Sequence, residues 1–387
     1  MKKALAILMI FALVASVAVA EISIGAWGRG FFVPVQNDGL DETEGGDNFD
    51  GSSTDTAISW GSAPRIGFTL SGSSDNVGVQ ADFNVDGGVM GLGDQQKIWV
   101  KPMDMLTLSL GNVYDDTLRG NAAFGSFNWL RSFGNGDGED ITFSRFGTIR
   151  PDFENFMIAV KPMDAFYAGL YLYDLGSNPS ENMMANMQLG AGYTIDGIGQ
   201  VKFQIIREAK KYDADGVADE VQTTVEAAFN YTGMENLFVE LGFKMPTNSD
   251  FKTKVAVNAD VDGDGDIDGD DEVSVEDYKK IAIYAKYNMA PMTIHFLSIN
   301  QLGDFGDGTD VMYKLVAGLD YDIGNGVGLA ADVSYTGVTV DDVDGVVTFF
   351  AGVTKGFSNG NIGAGLQFRN NGDTTGYAIP VRMEYWF

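Results

Sequence analysis

The chain has 387 residues, no cysteine, one histidine and a formal charge of −29, from 25 Lys plus Arg against 54 Asp plus Glu. The missing cysteines exclude a disulfide framework and thiolate metal sites. The acidity excludes a face that reads nucleic-acid phosphates, because such a face must be basic.

Residues 1–20 read as a cleaved signal peptide. Lys2 and Lys3 make a basic start, 4–20 are apolar or small, and Ala18-Val19-Ala20 fits an A-x-A cleavage site. The expected mature chain begins at Glu21, and losing the two lysines takes its formal charge from −29 to −31. No cysteine follows the cut, so this is not the pattern of a lipoprotein. After residue 20 no apolar run reaches the length of a membrane helix, and no Pro-rich or Gly/Ser-rich linker divides 21–387. Aromatic residues (26 Phe, 15 Tyr, 5 Trp) and 50 Gly favour strands and tight turns, so one large all-β unit is expected.

Period-two alternation recurs along the chain. Val77, Val79, Ala81, Phe83 and Val85 alternate with Gly78, Gln80, Asp82 and Asn84. Val221, Val225, Phe229 and Tyr231 oppose Gln222, Glu226 and Asn230. Ile281, Ile283 and Tyr287 oppose Ala282, Tyr284 and Lys286, and Leu329, Val333 and Tyr335 oppose Ala330, Asp332 and Ser334. The end is the plainest: Tyr377, Ile379, Val381, Met383, Tyr385 and Phe387 share one face. Short links fall at 73–76, 102–104, 162–164, 197–199, 233–236, 290–291, 324–326 and 358–361. Longer polar links fall between them, at 36–62, 86–96, 115–150, 174–187, 207–220, 246–279, 302–310, 337–345 and 370–376. Val100-Lys101-Pro102-Met103-Asp104 and Val160-Lys161-Pro162-Met163-Asp164 repeat one turn, with Pro expected at its second position.

Short turns on one rim and long loops on the other suit a transmembrane antiparallel up-and-down β-barrel. Eighteen strands are expected, with 16 as the alternative because one hairpin in 86–150 is ambiguous. Tyr193, Tyr231, Tyr287, Tyr321, Tyr385 and Phe387 are expected in an aromatic girdle at the short-turn rim.

The signal peptide, the hairpin rhythm over 21–387 and the final strand ending in Phe387 together resemble the bacterial outer-membrane porin family. The resemblance implies residence in outer-membrane lipid, insertion by a barrel-assembly machinery that reads the C-terminal strand, and passive diffusion of small hydrophilic solutes and ions. A homotrimer is an assembly the sequence leaves open. The other reading is a surface adhesin or sheath protein that uses the barrel as an anchor. A barrel of this size leaves an aqueous pore. The expected lining is Arg65, Lys97, Lys101, Lys202, Lys244, Lys286, Lys314, Arg369 and Arg382, against Asp82, Glu226, Glu240, Asp320, Asp332 and Glu384. The 114–150 segment carries Arg119, Arg131, Arg145 and Arg150 with Phe124, Phe127, Trp129 and Phe133. It resembles the third outer loop of porins, which folds into the lumen; Arg119 and Arg131 are then added to the lining. Net charge suggests cation selectivity, but the acid is concentrated in loops (37–56 and 260–277), so wall residues such as Lys286 are expected to govern the pore.

Between 260 and 271 lies Asp260-Val261-Asp262-Gly263-Asp264-Gly265-Asp266-Ile267-Asp268-Gly269-Asp270-Asp271. Asp at positions 1, 3 and 5, Gly at 6 and Ile at 8 fit an EF-hand calcium loop, and Asp at 12 resembles the dockerin version. The resemblance implies Ca2+ on Asp260, Asp262, Asp264, Asp266 (through its carbonyl), Asp268 and Asp271. Ser274-Val275-Glu276-Asp277 reads as a capping box opening a short helix. A dockerin has two such units and this chain one, so no cohesin-type partner is expected. Catalysis has no support: His295 is the only histidine, and no acid or nucleophile is tied to it by spacing.

Overall fold

In the computed structural model the described residues are 21–32, 36–37, 65–86, 89–120, 141–147, 155–174, 176, 178–247, 253–256, 272–304, 311–338, 345–370 and 375–386. The signal peptide, most of the 246–279 link and the middle of the 114–150 segment lie outside them. We number the wall strands β1 (Glu21–Phe32), β2 (Arg65–Ser74), β3 (Val77–Asp86), β4 (Val89–Met103), β5 (Leu106–Asn112), β6 (Phe156–Met163), β7 (Phe166–Leu172), β8 (Met187–Ile195) and β9 (Gly199–Tyr212). The wall continues with β10 (Ala218–Met234), β11 (Leu237–Pro246), β12 (Glu272–Met289), β13 (Met292–Asp304), β14 (Val311–Gly324), β15 (Val327–Val338), β16 (Val346–Phe357), β17 (Gly360–Asn370) and β18 (Val381–Trp386).

Each strand pairs antiparallel with the next, and β18 returns to β1 through Trp27↔Trp386 to Phe32↔Val381. The result is a closed antiparallel barrel of 18 strands. Closure pairs the first and last strands and so removes the edges that an open sheet would present.

Alternation sets the two faces. Leu189, Tyr193, Val201 and Phe203 are exposed outward, while Gln188, Lys202 and Gln204 on the same strands are buried inward. The pattern continues around the ring: Ile294, Phe296, Leu315, Val333 and Phe349 are outward and exposed, His295, Asp332, Ser334 and Thr348 inward and buried. An apolar exterior on this scale is matched to lipid and would be an aggregation surface in water. Tyr193, Tyr231, Tyr287, Tyr321 and Tyr385 stand beside the short turns, through pairs such as Phe166↔Tyr193, Gly199↔Tyr231 and Leu237↔Tyr287. Phe387 lies outside the described residues.

Four local expectations are corrected. The described part of the 86–96 link is strand: β4 begins at Val89 and pairs with β3 through Val85↔Met90 and Phe83↔Leu92. A register shift follows, where Asp82 accepts from the Gln95 amide (3.0 Å), so the Gly-rich stretch bulges without ending the ladder. The capping box at Ser274 opens no helix. Thr253–Ala256 pairs with it antiparallel (Thr253↔Val275, Val255↔Val273), and β-branched residues alternating with polar ones prefer that ladder. Pro102 and Pro162 are the penultimate residues of β4 and β6 rather than part of the turns, which are at 104–105 and 164–165. Both fall beside register irregularities, where the lost N–H is tolerated. Finally, β9 and β10 extend into the 207–220 link, leaving 213–217 as the connection.

At the long-loop rim a helix (Pro179–Asn182) is stitched to the 213–217 turn. Asn182 donates to the Gly216 carbonyl (3.0 Å) and accepts from the Ala218 amide (2.9 Å). Asn186 donates to the Asp174 carbonyl (2.8 Å) and the Tyr212 hydroxyl (2.7 Å).

Candidate functional site

The connection between β5 and β6 turns into the barrel. Tyr114–Asp115 pairs with Phe146–Gly147, and Asp115 caps a 3-10 turn over Asp116–Leu118 by accepting from the Thr117 amide (2.7 Å). Leu118, Phe143 and Phe146 are at most 1% exposed and pack on the inward side chains of Met157, Tyr167 and Tyr171. Three large apolar residues in a loop drive this inward fold, since they find cover only against the wall. Farther round, Ile141 packs against Tyr284, Leu297 and Val316. The wall is cut to receive the segment. The Thr142 carbonyl occupies the place a Cβ on Gly242 would take, and Leu118 and Phe146 close over Gly190.

Polar contacts fix the register of the segment. Glu226 accepts from the Ser144 amide (2.8 Å), the Ser144 hydroxyl (2.6 Å) and Gln204 Nε2 (2.6 Å), and Lys244 lies 3.1 Å away. Glu240 accepts from Thr142 and pairs with Lys202 (3.1 Å), whose Nζ also donates to the Arg119 carbonyl (2.7 Å). Gln188 accepts from the Gly147 amide (2.7 Å) and donates to the Arg145 carbonyl (3.0 Å). Arg145 pairs with Asp116 (2.9 Å) and sits 4.0 Å over the Tyr114 ring.

This arrangement divides the expected lining residues. Lys202, Glu226 and Glu240 face inward but are 1%, 1% and 0% exposed beneath the segment. They hold the loop and are shielded from the lumen. Arg65, Lys97, Arg382 and Glu384 stand on β2, β4 and β18. Arg382 and Glu384 are ion-paired, and Lys97 donates to Gln95 (2.5 Å). Asp82 is engaged by Thr69, Gln80 and the Gln95 amide. Lys101 lies over Trp99 (5.1 Å) and Lys286 over Phe238 (5.9 Å). Asp320 lies 3.1 Å from His295 Nε2, whose Nδ1 meets the Tyr284 hydroxyl at 3.0 Å. Asp332 is buried, Lys314 half-buried and Arg119 partly exposed near Asp116 (3.8 Å). Arg369 pairs with Thr348 through its backbone; its side chain lies outside the described residues, as do Arg131 and the six calcium-loop aspartates. Among the described residues no group of three or more acidic, His or Cys side chains is placed to hold a metal.

The sequence reading missed Arg29. It stands directly opposite Arg65 across β1 and β2, and both guanidinium groups approach the Trp27 ring, at 4.8 and 5.9 Å. Like charges facing each other across a ladder are unfavourable, and stacking on one indole offsets part of that. The alternation of Trp27 and Arg29 with Ala26 and Gly28 was the available signal, muted because the outward residues are small. Among the described residues, one side of the lumen is filled by the inward segment, and a row of basic side chains, Arg29, Arg65, Lys97 and the buried Arg382, lies on the inward face of β1, β2, β4 and β18.

The architecture is porin-like: a closed antiparallel barrel of 18 strands. Among solved structures, the chain is similar to a loop-deletion mutant of OmpT, an outer membrane protein of Vibrio cholerae: 13% identity over 95% of this chain and 99% of that one, TM-score 0.51. A structure described as porin covers 95% and 100% at 12% identity and TM-score 0.49. A mutant of the Rh. blastica porin covers 95% and 100% at 15% identity and TM-score 0.46. At 13% identity the OmpT likeness is one of fold. No protein-family model and no curated protein matches the sequence.

Proposed function

We propose that the protein is an outer-membrane porin that conducts small hydrophilic solutes and ions through a water-filled lumen. The observation that carries this reading is the pairing of two features: a closed wall that is apolar outside, and an inward face that carries charged side chains beside an inward-folded segment. Such a pore supplies the polar contacts and the constriction that selective diffusion needs. Single-channel recording of the purified barrel in planar bilayers tests it, with stable stepwise conductance expected. A folded barrel that inserts without conducting would overturn the pore and favour the anchored-adhesin reading.

Four further assignments belong to this proposal. Residues 1–20 act as the export signal and are removed. The assembly machinery reads the last strand up to Phe387. The 260–271 loop binds one Ca2+, supported by the spacing of its aspartates, which would repel one another without a cation. The barrel assembles as a homotrimer, supported by a hydrogen-bonded Ser298–Asn300 pair (3.0 Å) on the outward face opposite Ile281, Ile283 and Leu315. Polar side chains at that depth are better placed against a second copy than against acyl chains.

A further inference from the structure

At the long-loop side of the inward segment the lumen wall opens into a recess of about 440 Å3, within the range of small-molecule pockets. Ser144, Arg145 and Gly147 border it, and its walls are inward faces of β7 to β12. Its place along the barrel follows from the strands: Glu208 and Lys210 stand at the far end of β9 from the 196–198 turn, and Gln222 and Thr224 stand near the start of the returning β10.

The chemistry of the recess runs against that of the chain. Among the described residues, Arg145, Lys210 and Lys244 face it with a single carboxylate, Glu208, whereas the whole chain has 25 basic and 54 acidic residues. Each cation is held in place: Arg145 by Asp116 (2.9 Å), Lys210 by Glu208 (2.9 Å) and Lys244 by the buried Glu226 (3.1 Å). One partner does not exhaust an ammonium with three donors or a guanidinium with five. Gln222 and Thr224 lie side by side on the same face of β10, and Gln222 is directly opposite Glu208.

We propose that this recess is a solute subsite for hydroxylated carboxylic acids, with a sugar acid as its simplest ligand. The carboxylate is taken by Arg145 and Lys244, where charge-assisted hydrogen bonds are strongest. The hydroxyls meet Gln222, Thr224 and the Lys210–Glu208 pair. A hydroxyl both donates and accepts, so it satisfies both members of that pair, whereas a second carboxylate is repelled by Glu208. A neutral sugar leaves the cations unmatched, and a bare carboxylate leaves the amide and hydroxyl groups of β10 unmatched. The biological sense of the subsite rests on the pore reading, but its binding is measurable without it.

Isothermal titration of the folded, detergent-solubilised full-length barrel uses glucuronate, glucose and acetate as probes. Glucuronate is expected to bind at least tenfold more tightly than either of the others. The double variant Lys210→Gln, Gln222→Ala weakens glucuronate at least fivefold. Lys211→Gln, whose ammonium pairs with Asp219 and Glu220 (4.0 and 3.2 Å) instead of facing the recess, leaves that binding in place. Equal binding of the three probes, no binding, or a double variant that binds as before overturns the subsite. In bilayers, glucuronate blocks the open current at lower concentration than glucose. A barrel that binds glucuronate selectively but never conducts refutes the pore and keeps the subsite.

Discussion

Lys202 and Glu240 lie 3.1 Å apart with 1% and 0% of their side chains exposed, although β10 runs between the strands that carry them. The pair bridges over Ala228, the residue opposite both Lys202 and Gly242, and the inward segment closes it with Thr142 and the Arg119 carbonyl. It functions as a latch. Burial of two charges is tolerated because each also hydrogen-bonds the segment.

Breaking one side of the latch leaves the other charge buried alone, which costs about 3–5 kcal/mol. Glu240→Gln is therefore expected to unseat residues 141–147 in a barrel that still closes, because the wall ladder does not depend on them. Single-channel conductance should rise and the segment should become sensitive to added protease. The double variant Lys202→Met, Glu240→Met should restore part of the wild-type conductance, since an apolar pair leaves no orphaned charge. Equal disruption by the single and double variants would show that the ion pair is incidental.

A steric route to the same end starts from the glycines beneath the segment. At Gly190 any side chain meets Leu118 and Phe146, and at Gly242 it meets the Thr142 backbone. Gly190→Val should keep the β-sheet circular dichroism spectrum and enlarge the pore. Gly72→Val, outward on β2, should leave conductance alone. An unchanged conductance in Gly190→Val would refute the seating.

Much of this wall was readable from the sequence, and the reason is the solvent on each face. Lipid demands an apolar residue at every second position, so Val77 to Val85 and Tyr377 to Tyr385 declare their faces. The inward face has no such constraint, and the buried Lys202 beneath the loop looks like the half-buried Lys97. Which lumen residues become covered depends on where Leu118, Phe143 and Phe146 land, a long-range matter invisible to local periodicity. The bulge near Gln95 was hidden for a different reason: Gly91, Gly93 and Asp94 resemble a turn, and only pairing with Phe83 and Asp82 keeps them in the sheet.

The calcium proposal makes a prediction independent of the barrel. Replacing both Asp260 and Asp264 with Asn removes two charged ligands from the expected loop, and Ca2+ affinity should fall at least a hundredfold. The β-sheet spectrum and thermal transition of the wall should persist in the presence of a chelator. Titration showing equal Ca2+ binding by the double variant and the parent would eliminate the loop as the site.

Ion selectivity sets the acidic loops against the basic row. The formal charge of −29 concentrates cations near the mouth, but only within about 8 Å at physiological salt and about 3 Å at 1 M. Arg29, Arg65, Lys97 and Arg382 lie on the inward face of the wall itself, where on the pore reading a permeating ion passes closer to them than to the outer loops. Modest cation selectivity at low salt should therefore collapse or reverse as salt rises. Arg65→Glu should move the reversal potential toward cations more than any single outer-loop substitution. It converts the Arg29–Arg65 pair from like to opposite charges and removes a cation from the row in one step. Lys202→Gln, by contrast, should act through pore size rather than charge, because that ammonium is sealed under the inward segment. Reversal potentials across a salt series, measured for the parent and both variants, decide the matter. Strong cation selectivity that persists at 1 M in the parent would mean that ions do not pass along the row.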